Sequence, residues 1–225
     1  DTVATALRRL VAAQSGNSTK VTFARGCEID SPSTAGIRAA VELARASDVA
    51  VLVLGDDLKS SSEWGDRDNL DLPGAQLALL TAVAATGTPV VLVHVGGRTA
   101  TFGADNAVLR NVTAVLSAFR PGQMGGNAIA NLLLGIANPS GKLAQNWVRG
   151  VGQSHSGASP WQQWVVGKWN ANGRGAADPD GRRYDFYNAD NMPLGQGSAH
   201  DSGVASPLFY FGAGLSYTTF SYKQL

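Results

Sequence analysis

"DVAVLVLGDDLKSSSEWGDRDNLDLPG", Asp48 to Gly74, joins a wholly apolar run to a densely charged one. Val49 to Gly55 is apolar at every position. A strand with one wet face alternates apolar and polar residues, whereas an unbroken apolar run belongs to a strand covered on both faces, as in a parallel sheet between helices. The run then empties into acid. Five charged side chains, Glu63, Asp66, Arg67, Asp68 and Asp71, fall within nine residues. In open parallel sheets, functional groups collect in the loops beyond the carboxyl ends of the strands. The stretch therefore reads as a rigid buried strand that presents a polar loop at a functional rim.

Working outward, helical and strand periods alternate. "VATALRRLVAA" spaces Val3, Leu7, Leu10 and Val11 at helical intervals. "KVTFARG" reads as a short strand ending at Gly26, and "STAGIRAAVELARAS" as a helix with Ile37, Val41 and Ala44 on one face and Ser33 or Thr34 as N-cap. After the acidic loop, Pro73 suits the first turn of a helix. Leu77, Leu80 and Val83 form its expected buried stripe, and Gly87 ends it. "TPVVLVHVGG" and "VTAVLSAFR" are the next two strands. "GQMGGNAIANLLLG" is a helix with Ile129, Leu132 and Leu133 inward and Gly135 as its stop, and "GKLAQNWV" reads as a final strand. The fold class is α/β, a mostly parallel sheet with helices on both faces.

From about Gly150 the pattern changes. Residues 1–149 read as an α/β sandwich domain. Residues 150–225 read as a long irregular extension wrapping over that domain, with strand character around Tyr217 to Tyr222. The segment is rich in Gly, Ser, Asn and Asp, yet Trp161, Trp164 and Trp169 make it too aromatic for a disordered linker. The 225 residues fit one large domain, or one with an appendage. A formal net charge of +1 gives no case for nucleic acid or an anionic membrane surface as partner. No segment approaches a membrane span. Cys27 is the one cysteine, so no internal disulfide can form.

The candidate residues have two readings each. Glu63, Asp66, Arg67 and Asp68 are either a solvated loop whose charges pair with each other, or a carboxylate poised near an arginine for general acid–base work. His94, inside a strand, is either a rim ligand or a core histidine, and the strand context favours the core. His155 and His200 have no cysteine or acidic partners at metal spacing, so zinc is not indicated. The sequence holds no GxSxG and no GxxxxGK[ST], which disfavours an α/β-hydrolase or a nucleotide P-loop. The aromatic residues of the extension either pack or stack on sugar rings.

Four segments, in order, resemble the second domain of glycoside hydrolase family 3. They are "GDDLKSSSEWGDRDNLDLPGAQLALLTAV", "GTPVVLVHVGGRTATF", "AFRPGQMGGNAIANLLLGIANPSGKLAQNW" and "PLFYFGAGLSYTTFSY". The resemblance implies exo-acting, retaining hydrolysis of β-linked glycosides, with β-glucosidase or β-xylosidase activity. In such enzymes one carboxylate attacks the anomeric carbon and a second, roughly 5–5.5 Å away, protonates the leaving oxygen. It further implies that the nucleophilic Asp sits on a (β/α)₈ barrel and the acid/base Glu on the loop of the second domain. Glu63 best matches that Glu, with Asp66 and Arg67 supporting the loop by ion pairing and backbone contacts. Asp56 and Asp57 are the fallback positions.

Set against the family pattern, the chain carries no barrel, no nucleophile motif and no first strand of this domain. It is therefore expected to be part of a longer or cleaved protein, leading toward a missing tail domain and inert alone, since an acid without its nucleophile loses the covalent step. The expected partners are the barrel and a β-linked oligosaccharide or glycoside. The glucoside is preferred over the xyloside. A non-catalytic scaffold or carbohydrate-binding subunit is the competing reading. No metal or organic cofactor is implied. Sequons at Asn17 and Asn111 give an expectation of a secreted, extracellular or vesicular glycoprotein.

Overall fold

Three apolar runs in the first two-thirds of the chain build one sheet. A computed structural model describes residues 1–15, 18–63, 67, 69–150, 207–219 and 221. Helix α1 (Val3–Ser15) and helix α2 (Ile37–Arg45) precede strand β1 (Ala50–Gly55). Then come α3 (Gln76–Ala84), β2 (Val90–Val95), a 3₁₀ helix (Ala104–Asn111), β3 (Ala114–Phe119) and α4 (Gly125–Leu133). The strands lie in the order β1-β2-β3, all parallel, with Leu52 opposite Leu92 and Leu92 opposite Val115. The helices pack as two pairs, α2 with α3 and α1 with α4, and α3 lies against β1. This is the α/β sandwich read from the unbroken apolar strands.

The central strand explains the composition. In β2, Val90, Leu92, Val93 and His94 are fully buried, so both faces are covered. Among the described residues strand β1 pairs on one side only, and Val53 within it and Val49 just before it are about half exposed. Because side chains alternate faces along a strand, these two residues share a face.

Several expectations are corrected. "KVTFARG" forms no ladder: a strand exists only with a hydrogen-bonded neighbour, and the described sheet offers it none. The segment instead runs close to α3, where a Cβ on Gly26 would stand 2.4 Å from the Leu79 side chain. Neither Ser33 nor Thr34 caps α2. The N-cap is Gly36, without a side-chain bond, because the Ile37 amide already donates to the Thr34 carbonyl (3.0 Å). Pro73 lies three residues before α3 rather than in its first turn. The buried stripe of α3 is rotated by about one position, with Gln76, Leu79, Leu80 and Val83 inward and Leu77 half-buried, since Gln76 is drawn toward the end of β1. Of α4, Ile129 and Ala130 are buried while Leu132 and Leu133 are half-buried.

Two compact units divide the chain: Asp1–Arg67 with Asp71–Gly141 and Gly214–Leu225, and Asp68–Leu70 with Lys142–Ala213. In the first, the Asn138 side chain accepts from the Tyr217 amide (2.9 Å) and the Ser216 hydroxyl (3.0 Å). The Tyr217 hydroxyl donates to the Leu132 carbonyl (2.9 Å), which at the end of α4 also accepts from the Gly135 amide (3.1 Å). In the second unit, "GKLAQNWV" is not a sheet strand. It makes an isolated antiparallel bridge, Trp147 to Phe209, with the two rings edge-to-face at 6.3 Å. Around Tyr217 to Tyr222, described residues 217–219 form no ladder. Residues 151–206 of the expected extension, including Trp161, Trp164, Trp169, His155 and His200, lie outside the described residues, as does Asn17.

Candidate active site

The loop that leaves β1 begins at a position only glycine can hold. Gly55 has φ +152°, and a Cβ there would stand 1.8 Å from the Val95 carbonyl oxygen. Both polar groups of the Gly55 backbone are taken by one buried side chain. Its amide donates to Gln76 Oε1 (2.7 Å), and its carbonyl accepts from Gln76 Nε2 (2.8 Å). Gln76 Nε2 also donates to the Ile29 carbonyl (2.9 Å). The end of β1 is thus tied to the start of α3, and the loop between them, 56–75, is closed at a fixed point.

The loop then folds on itself. The Asp57 carboxylate accepts from the amides of Lys59 and Ser60 (2.9 Å each) and from the Ser60 hydroxyl (3.1 Å). These bonds, that of the Ser60 amide foremost, hold the Asp57 carboxyl below its ordinary range against a partial loss of hydration. The Ser60 hydroxyl also lies 3.4 Å from Asp56 Oδ1. Ser60 and Ser61 are buried, each 6% exposed. Glu63, two residues on, is exposed.

Two arginines from the neighbouring strand ends meet the root of this loop. Arg98, beyond β2, donates through Nη2 to the Ser60 carbonyl (2.5 Å). Arg120, directly after β3, donates through Nη2 to the Ser61 carbonyl (2.7 Å) and hydroxyl (3.1 Å). The Gly-Gly pair after β2 makes room for this. A Cβ on Gly97 would lie 2.6 Å from Arg120 Nε, and one on Gly96 would lie 2.8 Å from Asp56 Oδ2.

The far end of the loop is fixed as well. Arg67 donates to the Asp71 carbonyl (3.0 Å). The Asp71 carboxylate accepts from the Thr101 hydroxyl and from the Gly103 amide (3.2 Å), while the two backbones of Asp71 and Thr101 bridge in parallel. Behind this edge, His94 is fully buried and meets Phe102 edge-to-face at 6.4 Å. Burial pushes its imidazole below the ordinary value, with the Asp56 carboxylate partly opposing. His94 is thus a core residue behind the rim.

Glu63 and Arg67 belong to one loop at the carboxyl edge of the sheet, Glu63 exposed and Arg67 making a backbone contact. Asp66 and Asp68 lie outside the described residues. Of the fallback positions, Asp57 is committed to the loop's own turn and favours its charged form, which unsuits it to donate a proton. Sequence reading missed Gln76, Arg98 and Arg120. The one available signal was that "HVGGRTATFG" and "FRPGQMGG" leave the same sheet edge as the acidic loop, each carrying a single arginine. Chemically, the arrangement offers an accessible carboxyl on a loop whose two ends are held.

Comparison with known proteins places this geometry. The sequence model of the glycosyl hydrolase family 3 C-terminal domain matches residues 2–217. A β-xylosidase from Formosa agariphila is 35% identical over 207 residues, covering 92% of this chain and 24% of that protein. A periplasmic β-glucosidase from Salmonella typhimurium is 34% identical over 192 residues, 83% of this chain and 21% of that protein. Among solved structures, a mutant β-glucosidase from Listeria innocua in complex with laminaribiose is similar with a TM-score of 0.61 at 29% identity, over 87% of this chain and 24% of that one. The chain spans about a quarter of the length of the curated relatives it matches. With its parallel sheet, its anchored acidic loop and a match over nearly its whole length, the chain belongs to the glycosyl hydrolase family 3 C-terminal domain family.

Proposed function

We propose that this domain supplies Glu63 as general acid/base to the active site of an exo-acting retaining β-glycosidase, completed by a (β/α)₈ barrel that carries the nucleophilic Asp. The observation that carries the reading is the placement of Glu63, exposed on a loop held at both ends, at the carboxyl edge of a sheet of this family. In a retaining mechanism the acid protonates the departing glycosidic oxygen, then removes a proton from the water that frees the sugar. A group with that task must face the partner domain, and a solvent-facing loop at the rim is where it can. Asp57 is the weaker candidate, because its hydrogen bonds stabilise the carboxylate.

The test is Glu63→Gln in the protein that contains both domains. Turnover of alkyl or sugar-linked β-glycosides should fall by about 10²-fold or more, the range of general acid–base contributions. Dinitrophenyl glycosides, whose leaving group departs without a proton, should lose far less in the glycosylation step. Small and equal losses on both series would refute the assignment and favour the scaffold reading.

A second reading, β-xylosidase rather than β-glucosidase, is supported by the Formosa relative's name and coverage. The ratio of activities on the matched aryl glucoside and xyloside separates the two. The same overall reading takes the protein to an extracellular or vesicular compartment. Asn111, exposed at the end of the 3₁₀ helix, would then carry a glycan, which a mobility shift on enzymatic deglycosylation would reveal.

A further inference from the structure

Two guanidinium groups from different strands converge on one dipeptide of the acidic loop. Arg98 reaches the Ser60 carbonyl and Arg120 the Ser61 carbonyl, at 2.5 and 2.7 Å, across 38 and 59 residues of sequence. Two cations brought together repel, so the pairing needs a compensating gain. Here the gain is donors for two carbonyls in a buried root, where a group without a partner is costly. Arginine suits the task because its planar fork can serve the Ser61 carbonyl and hydroxyl together. Gly97 leaves the space in which the Arg120 group lies.

The position of this clamp along the chain matters more than its strength. Ser60 and Ser61 are buried, whereas Ser62 and Glu63 are exposed. The boundary between buried and exposed chain therefore falls within two residues of Glu63. Two residues span at most roughly 7 Å, so a displacement of the Ser61 carbonyl is passed on to the Glu63 carboxyl with little room to be absorbed.

We infer that Arg98 and Arg120 are positioning residues for the Glu63 carboxyl, fixing the loop root so that the acid meets the leaving oxygen of the glycoside. The inference rests on the reading of Glu63 as general acid/base. Neither guanidinium touches the substrate in this account. A misplacement of about 1 Å at a reacting group costs on the order of 10²-fold in rate. That loss should appear only where proton donation limits the reaction.

The experiment uses the full enzyme that contains this domain, with Arg98→Met, Arg98→Lys, Arg120→Met, Arg120→Lys and Glu63→Gln. Met keeps most of the stem, and Lys keeps one donor group. Active enzyme is counted by trapping with a dinitrophenyl 2-deoxy-2-fluoro glycoside, so that variants that fold poorly are compared per competent site. The kcat/KM, which reports the steps up to departure of the leaving group and so excludes the later water step in which Glu63 acts as base, is then measured on an alkyl and a dinitrophenyl β-glycoside of the same sugar. The expected result is a loss on the order of 10²-fold on the alkyl glycoside for each Met variant, a loss under about 5-fold on the dinitrophenyl glycoside, and partial recovery in the Lys variants. Equal losses on both substrates, or none, would overturn the inference by reducing the arginines to structural supports. If Glu63→Gln discriminates between the substrates and the arginine variants do not, only the role of the arginines falls. If Glu63→Gln itself does not discriminate, the reading of Glu63 falls and takes this inference with it.

Discussion

Replacing Gln76 should unfasten the end of β1 from α3, and the size of the effect follows from its bonds. The side chain is 2% exposed and makes three hydrogen bonds, two with the buried backbone of Gly55 and one with the Ile29 carbonyl nearer the surface. Gln76→Met keeps the length and bulk but removes every polar partner. Orphaning the Gly55 amide and carbonyl costs about 1–3 kcal/mol each, and the Ile29 carbonyl adds less than about 1 kcal/mol because water can reach it. The total is about 2–7 kcal/mol, against a net stability of about 5–15 kcal/mol for a domain. Gln76→Glu gives a second handle. Its carboxylate can still accept from the Gly55 amide, but its other oxygen then faces two carbonyls. Protonation restores one donor, so the deficit of this variant relative to the parent should shrink as pH falls toward about 4, near the ordinary carboxylate range. The assay is urea denaturation followed by tryptophan fluorescence, read as the midpoint at constant slope, with hydrogen exchange of the Gly55 amide as the local probe. If both variants stay within about 1 kcal/mol of the parent and the Gly55 amide keeps its protection, the reasoning that these bonds hold the strand end is wrong.

Other outcomes follow from the same edge. Gly55→Ala puts a Cβ into the Val95 carbonyl at a backbone angle that L side chains rarely adopt, and should cost more than about 3 kcal/mol in the same denaturation assay. His94 is held below its ordinary value by burial, so the unfolded chain binds the proton more readily than the folded one. Its contribution to stability is then present above the unfolded value of about 6.5 and declines as pH falls below it; a pH series on His94→Gln should show a shallower decline than the parent. Loss of activity on alkyl glycosides in Glu63→Gln, and the matching selective loss in the arginine variants, test the chemistry of the loop, as set out above.

Much of the fold was legible because its signal is local. Apolar at every position from Val49 to Gly55 and from Val90 to Val93, the strands announce burial on both faces, and β2 shows it. Helices α2, α3 and α4 fall within the segments that periodicity marks, and α1 extends two residues past its segment to Ser15. What went astray depends on neighbours. "KVTFARG" has strand composition, but a ladder is a property of two segments, and composition describes one. The α2 cap failed for a similar reason: Ser33 and Thr34 have the right chemistry, yet the backbone turn had already supplied the donor's partner. Gln76 sits on a helix rich in alanine and leucine and gave no polar signal, because its role is defined by Gly55, 21 residues earlier.

By itself the sequence determined the parallel sheet, the carboxyl-edge position of the acidic loop and, through four ordered motifs, the family. These follow from short-range pattern, which the chain carries wherever it is placed. Which residues govern that loop is set by long-range contacts in the folded domain. Arg98, Arg120 and Thr101 lie 30 to 59 residues from the groups they hold, and their local context gives at most the sheet edge they follow, not the carbonyl or carboxylate they meet. They meet because parallel strands deliver their carboxyl ends, and the loops that follow, to one edge. There a buried carbonyl must find a donor, whatever its distance along the chain.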